Sequence, residues 1–344
     1  MASLITNIPA YCFPHELDAI SFSADSSVDI VLSTDLDRVE LHLTPDAAGS
    51  ILVEDLAGVL RDFTADGIAR QVRLAWDGGS RDFVLLPCRR TLSADAVTFT
   101  YDRFLSLCKG EKPTYLQAVE YVHVYEPQGK RAKFSIASLW ADPATGELKP
   151  AETSGDSIGS TAELEGNVFQ FRFSPKDIPS PSAGLELLSF SVSCGQRRQD
   201  FAIRHTADAE PVTLAFRNCF GVTDTFHCFG TVQTEVKVTR DSASFGGRMY
   251  NYRVEAVPYY TAQTGILTKP VLELFSDICS ATRVWLGYRE GIALCVTDSE
   301  LKVSNDLYEP QTGSVTWCEC RKEGTVRSED PAKVFDNTFD KTFF

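Results

Sequence analysis

Residues 214–238, LAFRNCFGVTDTFHCFGTVQTEVKV, indicate the kind of fold to which the chain belongs. Apolar side chains recur at period two over short runs of this stretch, at Leu214, Phe216, Phe226, Cys228, Val232, Val236 and Val238. A period of two is typical of strands that bury one face. The stretch therefore predicts strands joined by a short irregular turn, with Gly230 at a bulge or at a close approach of two backbones.

The glycines of this stretch lie within the predicted strands and do not open a helix. A phosphate-binding loop or a nucleophile elbow places its glycines between a strand and a helix. The sequence also contains neither a Walker loop nor a dinucleotide-binding fingerprint. We therefore expect no nucleotide cofactor, and no other feature of the sequence predicts a different cofactor.

Length and composition describe a globular protein with several cores. A chain of 344 residues is long enough for two or three domains of about 100–150 residues each. Phenylalanine (22) and tyrosine (11) are frequent while methionine (2) is rare, a balance that favours pleated sheets over helix bundles. The formal charge of −14 predicts repulsion from nucleic acid, so we expect no nucleic-acid partner.

The first residues and the cysteine content suggest where the protein is made. The N-terminal stretch has no basic segment and no unbroken apolar run, so we expect no signal peptide and synthesis in the cytoplasm. No window approaches 18 uninterrupted apolar residues, which predicts no membrane span. Ten cysteines in such a chain are expected to be free thiols in a reducing compartment.

Strand-like runs separated by turns extend along the whole chain. Residues 1–112 predict a β-sandwich with one helix at 53–63, and residues 96–101 are among its predicted strands. Residues 113–205 predict a second sandwich in which 142–166, rich in Pro, Gly, Ser, Thr and Glu, form a long exposed loop. The predicted fold class is therefore mainly β, with two or three sandwich-like or barrel-like domains and a few short helices.

The third predicted domain, residues 206–344, is β-rich with one helix at 267–280 and an acidic, aromatic C-terminal tail. Four phenylalanines lie in that tail, at Phe335, Phe339, Phe343 and Phe344. Burying such side chains is favourable, so we expect the tail to dock on its own domain or on a neighbour.

The residue types that could carry chemistry are present without the spacing that chemistry needs. Cys228 and His227 are neighbours on a predicted strand and point to opposite faces, so a nucleophilic pair is not expected. Cys318 and Cys320 could share a face, but no C-x-x-C or H-x₃-H partner supplies the two further ligands of a zinc site. We expect no catalytic residue, no metal site and no enzymatic activity.

Aromatic side chains offer the best candidates for ligand binding. Trp140, Tyr259 and Tyr260 could stack on sugars, although aromatic residues in a sandwich are more often part of its core. Tyr259 and Tyr260 are the stronger candidates, because neighbours in an extended chain cannot both face one core.

Three segments resemble virion proteins of Bacteroidetes prophages and phages, of the tail or baseplate-like kind. They are 216–231 (FRNCFGVTDTFHCFGT), 296–317 (VTDSELKVSNDLYEPQTGSVTW) and 334–344 (VFDNTFDKTFF), all in the last third of the chain. The resemblance implies a non-enzymatic structural subunit of a tail or related particle. Its implied partners are copies of itself and other tail or particle proteins, and its implied place is the virion.

Two alternatives remain open from the sequence. The first is a multi-domain binding module that recognises a glycan or a surface partner through loops at 142–166 and 258–268. The second is an enzyme of unspecified type, which would need a deep pocket with convergent carboxylates.

Overall fold

The computed structural model describes residues 2–204, 210–288, 291–305 and 309–319. Over these residues the chain is mainly β, which confirms the fold class that the sequence predicts. No α-helix among them has the length and apolar content needed to span a membrane. Short 3-10 helices lie at Pro14–Leu17, Gly155–Ser157 and Pro175–Asp177.

The first block consists of two sheets and two α-helices, and the first of these helices packs into the core of the block. Its elements are β1 (Ser3–Leu4), β2 (Tyr11–Cys12), β3 (Ile20–Ser23), β4 (Val28–Ser33), β5 (Arg38–Leu43), β6 (Ser50–Val53), α1 (Leu56–Phe63), β7 (Arg70–Trp76), β8 (Gly79–Leu85) and α2 (Ala96–Asp102). One sheet has the order β1-β3-β6 and the other β2-β8-β7-β4-β5. Val28, Ile30 and Leu32 of β4 point into the core, and Leu60 of α1 belongs to the same core.

The second block is a sandwich of a three-stranded and a five-stranded sheet. Its strands are β9 (Lys112–Thr114), β10 (Glu120–Tyr125), β11 (Ser135–Ala141), β12 (Leu148–Ser154), β13 (Ser160–Leu164), β14 (Val168–Phe173), β15 (Glu186–Cys194) and β16 (Arg197–Ile203). The sheet orders are β10-β14-β13 and β12-β11-β15-β16-β9. Phenylalanine rings fill the space between the sheets; those of Phe190 and Phe201 stack with centroids 4.7 Å apart.

The third block is one seven-stranded sheet with a helix on one face. Its elements are β17 (Val212–Arg217), β18 (Thr223–Cys228), β19 (Val232–Phe245), β20 (Arg248–Gln263), α3 (Lys269–Cys279), β21 (Val284–Leu286), β22 (Ile292–Lys302) and β23 (Thr312–Glu319). The strand order is β18-β17-β21-β22-β23-β20-β19. Pro270 lies in the first turn of α3, where a missing amide hydrogen is tolerated, and Leu274 and Phe275 are fully buried against the sheet.

A fourth apolar cluster lies where the three blocks meet. It joins Phe13 and Phe99 of the first block, Tyr125 of the second and Phe220 of the third. The rings of Phe99 and Phe220 lie 5.0 Å apart between centroids. This shared cluster packs all three blocks against one another.

Residues 96–101 were predicted to form a strand, and this prediction is wrong: they lie in helix α2. Asp95 precedes the helix and its side chain accepts hydrogen bonds from the backbone N–H and the hydroxyl of Thr98. This N-cap stabilises the first turn and outweighs the strand preference of Val97 and Tyr101.

Residues 142–166 were predicted to form a loop, and this prediction is also wrong, because they contain the strands β12 and β13. β12 pairs with β11 along its whole length and is an edge strand of its sheet. An edge strand tolerates Pro150 and exposed polar residues, so its composition is that of a loop.

Gly230 lies at a close approach of two backbones, at the base of the hairpin formed by β19 and β20. A Cβ atom at this position would lie 2.7 Å from the carbonyl oxygen of Gln263. We expect Gly230→Ala to lower the stability of the fold by about 1–3 kcal/mol, because the backbone must move apart. The measurement is the melting temperature by calorimetry.

Gly58→Ala is the matched control for that substitution. Gly58 is exposed in helix α1, and a Cβ atom there meets nothing within 4 Å. Alanine should raise stability by about 0.5–1 kcal/mol, because it restricts the unfolded chain. Equal melting temperatures for the two variants would contradict the close approach at Gly230.

Candidate functional site

The hairpin of β19 and β20 extends beyond the sheet to which it belongs. Strand β20 pairs with β23 only from Tyr260 to Gln263, and within the described part of the chain β19 pairs only with β20. We call residues 232–258 the ribbon. Strand β19 has 14 residues and therefore spans roughly 45 Å at about 3.3 Å per residue. Gly246 and Gly247 close the ribbon with positive φ angles of 58° and 74°, which a tight hairpin turn requires.

One face of the ribbon is apolar. Val236 is paired with Pro258 and Val238 with Ala256 across the two strands. Directly paired residues point to the same side of a sheet, so these four side chains share one face, and Val254 follows on it, paired with Arg240. Val236 is 56 % exposed, Val238 42 % and Val254 57 %. The face is therefore open to solvent.

The opposite face of the ribbon is charged. It carries Glu235 and Lys237 on β19, and Arg253 and Glu255 on β20. The guanidinium of Arg253 lies 3.5 Å from the carboxylate of Glu255, and the ammonium of Lys237 lies 4.5 Å from the centre of the Tyr259 ring. The ribbon thus has one charged face and one face that is apolar except for Arg240.

The apolar face continues the core face of the third block. Tyr260 lies on the same side as Pro258, and its ring stacks on Trp317 with centroids 6.0 Å apart. Two residues further on, Ala262 is fully buried in the core that α3 covers. The apolar alternation of a core-facing strand therefore continues along β19 and β20 beyond the part of the sheet that helix α3 covers.

The tip of the ribbon adds large side chains that are mostly exposed: Phe245, Met249, Tyr250 and Tyr252. Monomeric proteins rarely display contiguous apolar surface of this kind, and where they do it marks an interaction site. The ribbon is therefore the candidate functional site.

The structure places the three predicted binding residues in different surroundings. Tyr259 and Tyr260 lie half-buried on opposite faces of β20, at the base of the ribbon. Trp140 is only 7 % exposed in the core of the second block, and its Nε1–H donates to the hydroxyl of Ser138 over 2.9 Å. The core position leaves the Trp140 ring no open face for a sugar.

The predicted assembly residues Phe335, Phe339, Phe343 and Phe344 lie outside the described residues. Cys320 also lies outside them, so the predicted geometry of the Cys318–Cys320 pair stays a prediction.

A second notable arrangement is a buried charge cluster between the second and third blocks. The ammonium of Lys112 lies 2.9 Å from carboxylate oxygens of both Glu120 and Asp224, and it donates to the hydroxyl of Thr225. Nε2 of His227 lies 2.7 Å from the other carboxylate oxygen of Glu120. We call Lys112, Glu120, Asp224 and His227 the buried charge cluster.

The charges of this cluster stabilise one another in the absence of water. Burial alone would raise the pKa of Glu120, but Lys112 and His227 hold that pKa well below its usual range. Burial alone would lower the pKa of Lys112, but Asp224 and Glu120 raise it above its usual range. The ion pair between Lys112 and Glu120 is therefore charged at neutral pH.

The cluster has acids, a base and hydroxyls within hydrogen-bond reach, as catalytic sites do. Thr213 extends it, because its hydroxyl lies 2.8 Å from Nδ1 of His227 and 3.1 Å from the hydroxyl of Tyr115. The cavity beside Lys112 has a volume of about 10 Å³, which accommodates one water molecule at most. This arrangement can hold two blocks together, but it has no room for a substrate.

Sequence reasoning missed the buried charge cluster because its members are far apart in the chain. His227 and Glu120 are separated by 107 positions. The available signal was the segment TDTFHC of β18, which places two ionisable residues, Asp224 and His227, in a strand whose six residues are all buried. A buried charge on a strand indicates a partner elsewhere in the fold, but it does not identify that partner.

Residues 155–159, Gly-Asp-Ser-Ile-Gly, have the G-x-S-x-G spacing of a nucleophile elbow. Here they form a 3-10 turn ahead of an edge strand, without the strand-to-helix geometry of an elbow. The hydroxyl of Ser157 donates to the carbonyl of Ser154 over 2.7 Å. The serine of this G-x-S-x-G sequence therefore stabilises a local turn.

In the described ranges, no group of three or more His, Cys, Asp or Glu side chains is arranged to hold a metal ion. No protein-family model matches the sequence, and no curated protein sequence matches it significantly. The function is therefore inferred from the geometry of the residues themselves.

Removing the cation of the buried charge cluster should strongly destabilise the fold. Lys112→Met leaves Glu120 and Asp224 buried without their partner, and we expect a loss of about 3–5 kcal/mol. The control is Lys109→Met, which removes a half-exposed ion pair with Glu273 and should change stability by less than about 1 kcal/mol. Similar urea unfolding midpoints for the two variants would contradict the role of the buried charge cluster in holding the second and third blocks together.

Acid should weaken the fold through Glu120. Its pKa is depressed in the folded protein, so its contribution is present above the unfolded value of about 4.3 and is lost as the pH falls below it. In that range the free energy of unfolding should fall by up to about 1.4 kcal/mol per pH unit on account of this group.

Urea titrations between pH 7 and pH 3 measure that dependence. Glu120→Gln should flatten the curve, whereas Glu273→Gln at the surface should leave its shape unchanged. Parallel curves for the wild type and Glu120→Gln would show that Glu120 takes up its proton equally in both states.

Proposed function

We propose that this protein is a non-enzymatic structural subunit of a phage or prophage tail, or of a related particle, and that it assembles with copies of itself through the ribbon. The observation that supports this proposal is the open apolar face of the ribbon, which runs from Pro258 to Val254 on one strand and along Val236 and Val238 on the other.

A ribbon of two strands needs a partner for two physical reasons. An isolated hairpin is marginally stable in water, because it buries too little apolar surface. Its two outer edges also present N–H and C=O groups that can pair with another chain. A neighbour that covers the apolar face would satisfy the first need, and one that pairs with an edge would satisfy the second.

The charge distribution favours a second copy of this chain as that neighbour. The ribbon has four basic side chains (Lys237, Arg240, Arg248, Arg253) and three acidic ones (Glu235, Asp241, Glu255), whereas the whole chain has a formal charge of −14. Two acidic bodies repel each other, but a nearly neutral ribbon can approach the body of another copy without that repulsion.

Contact between the ribbon of one copy and the body of the next is a heterologous contact. Repetition of such a contact produces a closed ring or an open filament, the two forms from which particle tails are built. The resemblance of 216–231 and 296–317 to tail and baseplate-like proteins agrees with this mode of assembly. Other particle proteins are expected as further partners, and the C-terminal phenylalanines as a second contact.

The glycan-binding alternative has less support. It relied on Trp140, Tyr259 and Tyr260, but Trp140 is in a core and the ring of Tyr260 is stacked on Trp317. Only Tyr259 keeps a partly open ring, and Lys237 occupies one side of it. A single aromatic side chain is a small platform for a sugar.

Charges placed on the apolar face should abolish assembly. In Val236→Asp with Val238→Asp, two carboxylates would have to be buried without partners, and we expect the association constant to fall more than about a hundredfold. The control is Gln233→Asp with Thr239→Asp, which adds the same charge to the opposite face of the same strand. Sedimentation velocity over a range of concentrations measures the outcome.

The wild type and the control are expected to form rings or longer assemblies, and the apolar-face variant to remain a monomer with an unchanged circular dichroism spectrum. A wild type that remains monomeric at several hundred micromolar, or two variants that assemble equally, would contradict the proposal.

A further inference from the structure

The tip of the ribbon, residues 242–252, carries large apolar side chains on both of its faces. It begins at a bulge in the pairing of β19 with β20. Phe245 and Tyr250 share one face, because Tyr250 is paired with Ala243, two positions before Phe245 on the same strand. Met249 is the neighbour of Tyr250 and therefore points to the opposite face. The tip thus differs from the rest of the ribbon, which has one apolar face.

These side chains are open to solvent. Phe245 is 70 % exposed and Met249 69 %, and Tyr250 and Tyr252 are also exposed. A flat partner could cover only one side of such a tip, so burial of both sides requires surroundings that enclose it. The boundary between the headgroups and the acyl chains of a bilayer encloses any inserted segment without a match of shape. Tyrosine, with an apolar ring and a polar hydroxyl, is favoured at that boundary.

The charge around the tip is opposite to that of the whole chain. Residues 240–253 have a net charge of +2, whereas the chain has a formal charge of −14. The charged residues in this range are Arg240, Asp241, Arg248 and Arg253. Arg253 lies 3.5 Å from the carboxylate of Glu255, while Arg240 and Arg248 are exposed. Basic side chains beside exposed aromatic rings favour a surface of anionic lipid headgroups.

The length of the ribbon separates this positive charge from the acidic body. β19 spans roughly 45 Å, whereas salt at physiological ionic strength largely screens exposed charges from one another beyond about 8 Å. The tip can therefore touch an anionic surface while the body, which that surface repels, stays several screening lengths away.

We propose that the tip is a membrane-binding element, which inserts Phe245, Met249 and Tyr250 into the headgroup region of a bilayer that contains anionic lipids. Interfacial segments bury their apolar side chains to a depth of about 5–10 Å, which roughly two or three residues of each strand cover. The long side chain of Arg248 lets its guanidinium reach the lipid phosphates. Val236 and Val238, nearer the base of the ribbon, stay outside the bilayer.

Flotation of the full-length protein with lipid vesicles tests this proposal. Vesicles of phosphatidylcholine and phosphatidylglycerol in equal parts should carry the wild type upward in a sucrose gradient, and vesicles of phosphatidylcholine alone should carry less of it. Phe245→Ser with Met249→Ser should weaken binding to the mixed vesicles more than about tenfold, because two large apolar side chains no longer leave water. The control is Tyr101→Ser with Leu148→Ser, which removes two exposed apolar side chains from the body and should bind as the wild type does.

The electrostatic part of the proposal is tested with Arg248→Gln. This substitution should weaken binding to the mixed vesicles about fivefold at low ionic strength and leave the weaker binding to phosphatidylcholine vesicles unchanged. Arg38→Gln removes an exposed arginine from the first block and should have no effect on either. Equal binding of Arg248→Gln and the wild type to the mixed vesicles would overturn the role of lipid charge.

A wild type that floats with neither kind of vesicle would overturn the membrane-binding tip. Equal flotation of the tip variant and of its control would do so too, because it would place the lipid contact elsewhere on the molecule. The tip variant should keep the circular dichroism spectrum and the sedimentation behaviour of the wild type. Loss of assembly in this variant, without vesicle binding by the wild type, would show that the tip contacts another copy of the protein, which also overturns the proposal.

Discussion

The structural constraint behind the proposed assembly is a pair of strands that are longer than the rest of their sheet. β19 and β20 keep the alternation of a half-buried strand beyond the point where β23 and α3 end. The apolar side of that alternation, with Val236 and Val238, consequently lies in water. Burial of apolar area favours association at such a surface, and unpaired strand edges set the orientation of the partner by hydrogen bonding.

Interactions between the three blocks hold the base of the ribbon in one position. Lys112 and Glu120 of the second block are paired with Asp224 and His227 of the third, and Phe220 packs among aromatic rings of the first. A buried ion pair contributes little net stability compared with apolar packing, but separating its partners is costly. The clusters therefore specify one arrangement of the three blocks, which fixes the direction in which the ribbon leaves the body.

Sequence reasoning predicted the features that depend on local pattern. The period of two located β17, β18 and the start of β19, and apolar spacing of three and four located α1 and α3. The errors arose where one interaction outweighed the pattern: the cap by Asp95 made a helix of a strand-like segment, and an edge position concealed β12 in a polar composition. The pairing of Glu120 with His227 and the solvent exposure of Val236 depend on tertiary structure, so no local pattern could reveal them.

The exposed apolar face is the central claim, and amide hydrogen exchange across residues 236–256 tests it most directly. Mass spectrometry would follow exchange in dilute protein and in concentrated protein. An uncovered ribbon should exchange rapidly when dilute, because no other described strand pairs with its edges between residues 236 and 256. Its exchange should become slower by at least about tenfold when copies cover it. Rapid exchange of the ribbon at every concentration, with new protection confined to another surface, would contradict the account.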